Sequence, residues 1–283
     1  MSEAILGDYT INKNNKKDKP KTFIQSRQLK KQRVMKLKIL TLVSIATILF
    51  SCNQGAKKET SQNETSTTKE EVKQPVSHVM TKEEQAKLTP DEVFQQFVDG
   101  NKRFQSGTTT ARDHSAQARK SAPGQFPKAV VLSCLDSRVP VEDVFDQGLG
   151  DVFVGRVAGN FVNEDLLGSI EFACKVAGAK LVLVMGHQHC GAVKGAIDDV
   201  KLGNITAMLA KIKPAVKMSQ DFVGDKKSNN DLYVKYVSEN NVKYAIQQIR
   251  EKSPILKEME DKGEIKIVGA FYRLTDGTLE FIK

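Results

Sequence analysis

The chain has no tryptophan, only four cysteines and four histidines among 283 residues, and no internal repeat. Outside its first fifty residues it also has almost no net charge. Eleven basic and three acidic residues precede Cys52, which leaves +8 of the whole chain's +9 in that stretch. A nucleic-acid partner would need a basic face on the folded part, so none is expected. The apolar run from Ile39 to Phe50 is shorter than the ~20 residues that span a bilayer comfortably.

The N-terminal quarter divides by composition. Residues 1–34 are polar and lysine-rich without an apolar period, and are expected to be disordered. Residues 35–52 resemble a bacterial lipoprotein signal peptide: Met35-Lys36-Leu37-Lys38, the apolar run, then Ser51 before Cys52. That resemblance makes Cys52 the lipidated first residue of the mature chain, and Met35 an alternative start to Met1. It implies a lipid anchor in a membrane and a periplasmic or outer-membrane-associated location. A short transmembrane anchor or a buried core helix is the alternative. Residues 53–80, dense in Ser, Thr, Glu, Lys and Gln, read as a flexible tether, and residues 81–283 as one folded domain.

Within that domain, Thr89-Pro90-Asp91-Glu92 opens a helix carrying Val93, Phe94, Phe97 and Phe104, closed at Gly107. A polar loop is expected from there to Pro127. Strands are expected over Lys128–Cys134, Asp151–Val157, Lys180–Met185 and Glu264–Tyr272, with a hairpin at Asp276-Gly277 into Thr278–Ile282. A helix from Leu166 to Ala177 offers Leu167, Ile170, Phe172, Ala173 and Val176 to the core, and Gly178 ends it. Ile205 to Lys252 is helical with a break near Gly224–Asn230. The alternation predicts an α/β fold, a mostly parallel sheet of about four strands with an antiparallel edge strand, flanked by helices.

Two strands stop abruptly at metal-capable residues. The first ends in Cys134-Leu135-Asp136-Ser137-Arg138 and the second in Gly186-His187-Gln188-His189-Cys190-Gly191. Ligands in open α/β sheets bind beyond the carboxyl ends of neighbouring strands. If these two strands are neighbours, Cys134, His187 and Cys190 converge into a set that suits Zn2+. Three protein ligands leave the fourth position to water, the pattern of a catalytic zinc. Cys174 reads as a small core residue, so no cysteine pair is left for a disulfide.

Cys134-x-Asp136-Ser137-Arg138 followed by His187-x-x-Cys190-Gly191, with Phe145–Asp151 and Arg156–Asn160 between them, resembles the β-class carbonic anhydrases. The resemblance covers the chain from about Thr89 onward. It implies one Zn2+ per subunit, held by Cys134, His187 and Cys190, and reversible hydration of CO2 to bicarbonate and a proton by zinc-bound hydroxide. It also implies a homodimer or tetramer. Arg138 would grip Asp136, and Asp136 would accept a hydrogen bond from the nucleophile. The alternatives for Asp136 are a plain ion pair, or the fourth zinc position in a regulated subtype. That subtype carries a Trp and a Gly ahead of the first ligand, and here Val131-Leu132-Ser133 precede Cys134, so the open subtype is expected. Gln147 resembles a glutamine that faces substrate across a subunit boundary; a one-residue offset or a loop-capping amide is the alternative. Arg156 reads as an ion-pair partner and His189 as a proton relay or a hydrogen-bonded surface histidine. CS2 or COS hydrolysis on the same scaffold, and a non-catalytic zinc-binding lipoprotein, are the competing functions.

Overall fold

The computed structural model describes residues 74–282. The N-terminal extension, the signal peptide with Cys52 and the tether up to residue 73 lie outside the described residues. Residues 74–80, read above as the end of the tether, include Val76, whose N–H donates to the Ala111 carbonyl at 2.8 Å.

Five strands form one sheet in the order β2-β1-β3-β4-β5. They are β1 (Ala129–Ser133), β2 (Val152–Arg156), β3 (Leu181–His187), β4 (Lys266–Tyr272) and β5 (Leu279–Ile282). The first four are mutually parallel, and β5 runs antiparallel to β4 at the edge. β1 and β3 are buried at every residue, as their uninterrupted apolar runs require of strands covered on both faces.

The helices in chain order are α1 (Lys82–Lys87), α2 (Pro90–Gln105), α3 (His114–Ser121), α4 (Val141–Val144), α5 (Glu164–Glu171), α6 (Gly191–Ile197), α7 (Gly203–Ala210), α8 (Lys213–Met218), α9 (Asp231–Lys252) and α10 (Pro254–Asp261). Helix α2 starts as its sequence dictates, with Thr89 and Glu92 closing a reciprocal capping box and Pro90 in the first turn. It lays Val93 and Phe97 on one face of the sheet with Phe145, over Val131, Leu183 and Met185. Phe97 and Phe145 are fully buried with ring centroids 4.7 Å apart. Each such side chain contributes about 1.5–3 kcal/mol by leaving water. The other face carries Leu167 and Ile170 of α5, Val242, Ile246 and Ile249 of α9, and Leu256 of α10.

Three expectations need correction. The loop to Pro127 contains α3, capped by Asp113, whose side chain accepts from Ala116 N–H; only Gln117 of this helix is buried, so no apolar period announces it. The strand expected to end at Met185 continues to His187, because Gly186 and His187 still pair with Phe271 and Tyr272. Phe172 and Val176 do not enter the core: they are 52% and 71% exposed. After Glu171 the helix widens into a π turn, Phe172–Val176, with Ala177 N–H reaching the Phe172 carbonyl at 3.0 Å. Phe172 and Val176 fall five and nine residues after Leu167, on the side of the helix opposite the Leu167–Ile170–Cys174 stripe, while Ala173 and Cys174 face inward as expected.

Candidate metal centre

Register puts the two chemical strand ends side by side. Ser133 pairs with Met185, so Cys134 leaves the sheet next to Gly186, one step before His187. After β3 the chain reverses through His189, at φ +55, and delivers Cys190 as the residue that opens α6. An apolar wall of Phe161, Val193, Leu209, Ile212 and Val237 packs around both cysteines.

Cys134 Sγ, His187 and Cys190 Sγ offer one donor atom each, all within 4.8 Å of one another, and all three residues are buried. The sulfurs lie 3.9 Å apart. A tetrahedral zinc with Zn–S of about 2.3 Å holds two sulfurs about 3.8 Å apart. His187 Nδ1–H donates to the Gln188 carbonyl at 2.9 Å, which leaves Nε2 as the lone-pair nitrogen. That Nε2 is buried with no hydrogen-bond partner. An orphaned imidazole nitrogen beside two thiols is costly for a folded core and ideal for a divalent cation. The residues fit Zn2+.

Electrostatics agree. The Cys190 thiol, hydrogen-bonded to Cys134, brings the Cys134 thiol well below its usual range against the opposing effect of burial, with help from the neighbouring His187 and the Gly159 and Asp136 N–H groups. The same contact, with burial, pushes Cys190 up. Asp136 stands outside the three-donor set, with Oδ2 3.9 Å from His187 Nε2. Arg138 grips it at both oxygens, Nε on Oδ1 at 2.9 Å and Nη2 on Oδ2 at 2.8 Å, and adds its main-chain N–H at 2.9 Å. The Arg138 guanidinium holds the Asp136 carboxyl at about 2.

A family model described as carbonic anhydrase matches residues 129–279, the stretch that supplies all three donors. Carbonic anhydrase 2 of Mycobacterium tuberculosis is 34% identical over 194 residues, covering 66% of this chain and 90% of that protein. The carbonic anhydrase of Mycolicibacterium smegmatis is 32% identical, covering 68% and 92%. Among solved structures, the β-carbonic anhydrase CafA of Aspergillus fumigatus superposes with a TM-score of 0.54 at 25% identity, over 68% of this chain and 91% of that one.

The chain belongs to the β-class carbonic anhydrases.

Members of this class use zinc, and the Cys-His-Cys set is where this β-carbonic anhydrase chain would hold it. The remaining candidates separate. Gln147 is buried, and its Nε2 donates to the Phe145 carbonyl at 2.5 Å. It lines a pocket with Arg103, Arg112, Lys128 and Asp151, where β1 and β2 begin, so a single chain does not bring it to Cys134. Its Oε1 is buried without a partner. His189 Nδ1 meets Asp231 Oδ1 at 3.1 Å on the surface. The ion-pair expectation for Arg156 is corrected: its guanidinium donates to the carbonyls of Cys134 (3.1 Å) and Val139 (2.6 Å), and no carboxylate pairs with it among the described residues. The loop after β1 turns its carbonyls away from the sheet ladder, and a guanidinium with five donors satisfies them. Gly159, which the sequence suggests as close backbone packing against the site, does approach it: its N–H donates to Cys134 Sγ at 3.3 Å.

Proposed function

We infer that this chain catalyses the reversible hydration of CO2 to bicarbonate and a proton, using zinc held by Cys134, His187 and Cys190. The observation that carries the site assignment is the buried, partnerless His187 Nε2 beside two sulfurs at zinc-ligand separation. Bound zinc supplies Lewis acidity that makes hydroxide available near neutral pH; carbonic anhydrase is itself the reference case for water lowered to a pKa of roughly 7. The protein's own groups do the rest. Asp136, kept ionised far below neutral pH, is a pure acceptor beside the donor set, its Oδ2 3.9 Å from His187 Nε2. It takes a hydrogen bond from the attacking O–H and thereby aims the oxygen lone pair at the carbon. Arg138 fixes the carboxylate plane with two parallel bonds, which keeps it from swinging towards the metal position.

Self-association follows from the sheet edge. β2 pairs only with β1, carries the apolar Val152, Phe153 and Val154, and lies beside Phe153's exposed neighbour Phe172. An edge strand whose outer N–H and C=O groups have no partner strand among the described residues invites another chain. Structural neighbours from Sordaria macrospora, at 22% identity, are described as tetrameric β-carbonic anhydrases. Such an assembly is also what would bring Gln147 to a neighbouring site. The lipid anchor at Cys52, with a periplasmic or outer-membrane-associated location, rests on residues 35–52 of the sequence. Among the described residues no helix is long and apolar enough to cross a membrane.

Stopped-flow CO2 hydration on the full chain, with and without a chelator, tests the activity. Rapid turnover that the chelator abolishes is expected; a zinc-loaded chain without turnover refutes it. Fractionation of cells making Cys52→Ala tests the anchor: the variant should leave the membrane fraction, and unchanged membrane retention would refute lipidation.

A further inference from the structure

Helix α9 reaches the metal centre through one side chain that no spacing in the sequence singles out. Asn241 is 1% exposed, and its Nδ2 donates to the Gly159 carbonyl at 2.8 Å. The N–H of the same glycine donates to Cys134 Sγ at 3.3 Å. Gly159 therefore bridges a buried amide on α9 and a metal-capable sulfur beyond β1.

The turn that carries it is tight. Gly159 sits at φ +85 and Asn160 at φ +40, and Asn160 N–H closes back on the Val157 carbonyl at 2.9 Å. A Cβ on Gly159 would fall 2.3 Å from Ile212 Cδ1 and 3.2 Å from Ala192 Cβ, so only glycine fits. That packing is apolar and holds the turn in place, but it is indifferent to which way a peptide plane faces. Glycine has the softest φ and ψ of any residue. Something directional has to hold the Gly159 carbonyl if its N–H is to stay on the sulfur, and Asn241 is the side chain that does so.

We propose that Asn241 is a positioning residue for the metal centre: by holding the Gly159 carbonyl it keeps the Gly159 N–H on Cys134 Sγ and so sets how tightly that sulfur serves as a ligand. This rests on Cys134 being a zinc ligand. Groups that orient metal ligands typically change metal affinity by about 10–100-fold when removed.

The adjacent residue provides the control. Asn240 is also buried on α9, and its Nδ2 donates to Ser219 Oγ at 2.8 Å, with no part in the metal centre. Zinc affinity of the full chain is measured by competition with a chromophoric chelator for wild type, Asn241→Leu and Asn240→Leu. The sulfur-to-metal charge-transfer band of the Co2+-loaded proteins is recorded alongside. Both variants should melt lower, but only Asn241→Leu should bind zinc about 10–100-fold more weakly and shift the band. Equal zinc affinities in the two variants, or wild-type affinity in Asn241→Leu, overturn the proposal. Asn241→Ser, too short to reach the carbonyl, answers the same question if the leucine variant does not fold. A wild-type chain that binds zinc tightly yet hydrates no CO2 refutes the activity and leaves this proposal standing; a wild-type chain without zinc affinity overturns both.

Discussion

Asp136→Asn changes a single atom, and the surroundings dictate which way the amide must face. In the native side chain Oδ1 accepts two N–H groups of Arg138, while Oδ2 accepts one and faces His187 Nε2 at 3.9 Å. The amide oxygen has to occupy the Oδ1 position, since an NH2 there would meet two donors. The NH2 then falls at the Oδ2 position, and the side chain presents a donor where the mechanism needs an acceptor. Zinc should remain, because Asp136 is not one of the three donors. The lost aiming of the nucleophile should lower kcat/KM for CO2 by about 10²–10³-fold, or about 2.7–4.1 kcal/mol of barrier. Stability should change little, because the Arg138 side chain is 54% exposed and such pairs contribute about 0–1 kcal/mol. Stopped-flow hydration and elemental zinc analysis on the same samples decide it. A variant within threefold of wild type refutes the role given to Asp136, and a variant that loses zinc makes Asp136 a ligand.

Asp146 is buried between Arg103, Arg112 and Thr110. Asp146→Ala strands two guanidiniums and should cost about 3 kcal/mol in urea unfolding, the low end for a broken buried pair because Arg103 is 41% exposed. Burial alone would raise this carboxyl, but Arg112, Arg103 and Thr110 outweigh it and hold it at about 2. A depressed carboxylate stabilises above its unfolded pKa, so wild-type stability should fall as pH drops from about 4 to 2, and a flat profile there would contradict the pairing. Gly100→Ala would put a Cβ 2.0 Å from the Phe145 carbonyl oxygen, so it should lower Tm by several degrees; an unchanged Tm would mean α2 packs differently. Burial pushes the Cys174 thiol up to about 12, so iodoacetamide at pH 8 should leave it unmodified in the native chain, as read by peptide mass spectrometry.

The parts of this molecule legible from sequence are those set by local pattern. The apolar runs of β1 and β3, the Thr89 capping box and the positive-φ Gly178 each follow from residues a few positions apart. The donor set was legible because both its halves sit where such runs stop. What stayed hidden depends on distance in the chain or on the lack of an apolar period. Asn241 reaches across 82 residues to Gly159. Arg156 looked like an ion-pair partner because nothing in its neighbours reveals a loop with unsatisfied carbonyls. Phe172 and Val176 are apolar, but their spacing from Leu167, Ile170 and Cys174 puts them on the opposite face of the helix, where residue type alone misleads. Helix α3, polar and short, has a cap but no stripe.

X-ray absorption at the zinc edge of the full-length protein tests the central claim most directly. The account predicts two sulfurs at about 2.3 Å, one imidazole nitrogen at about 2.0–2.1 Å and one further light atom from solvent. A shell without sulfur, with more than two sulfurs or with no imidazole would contradict it.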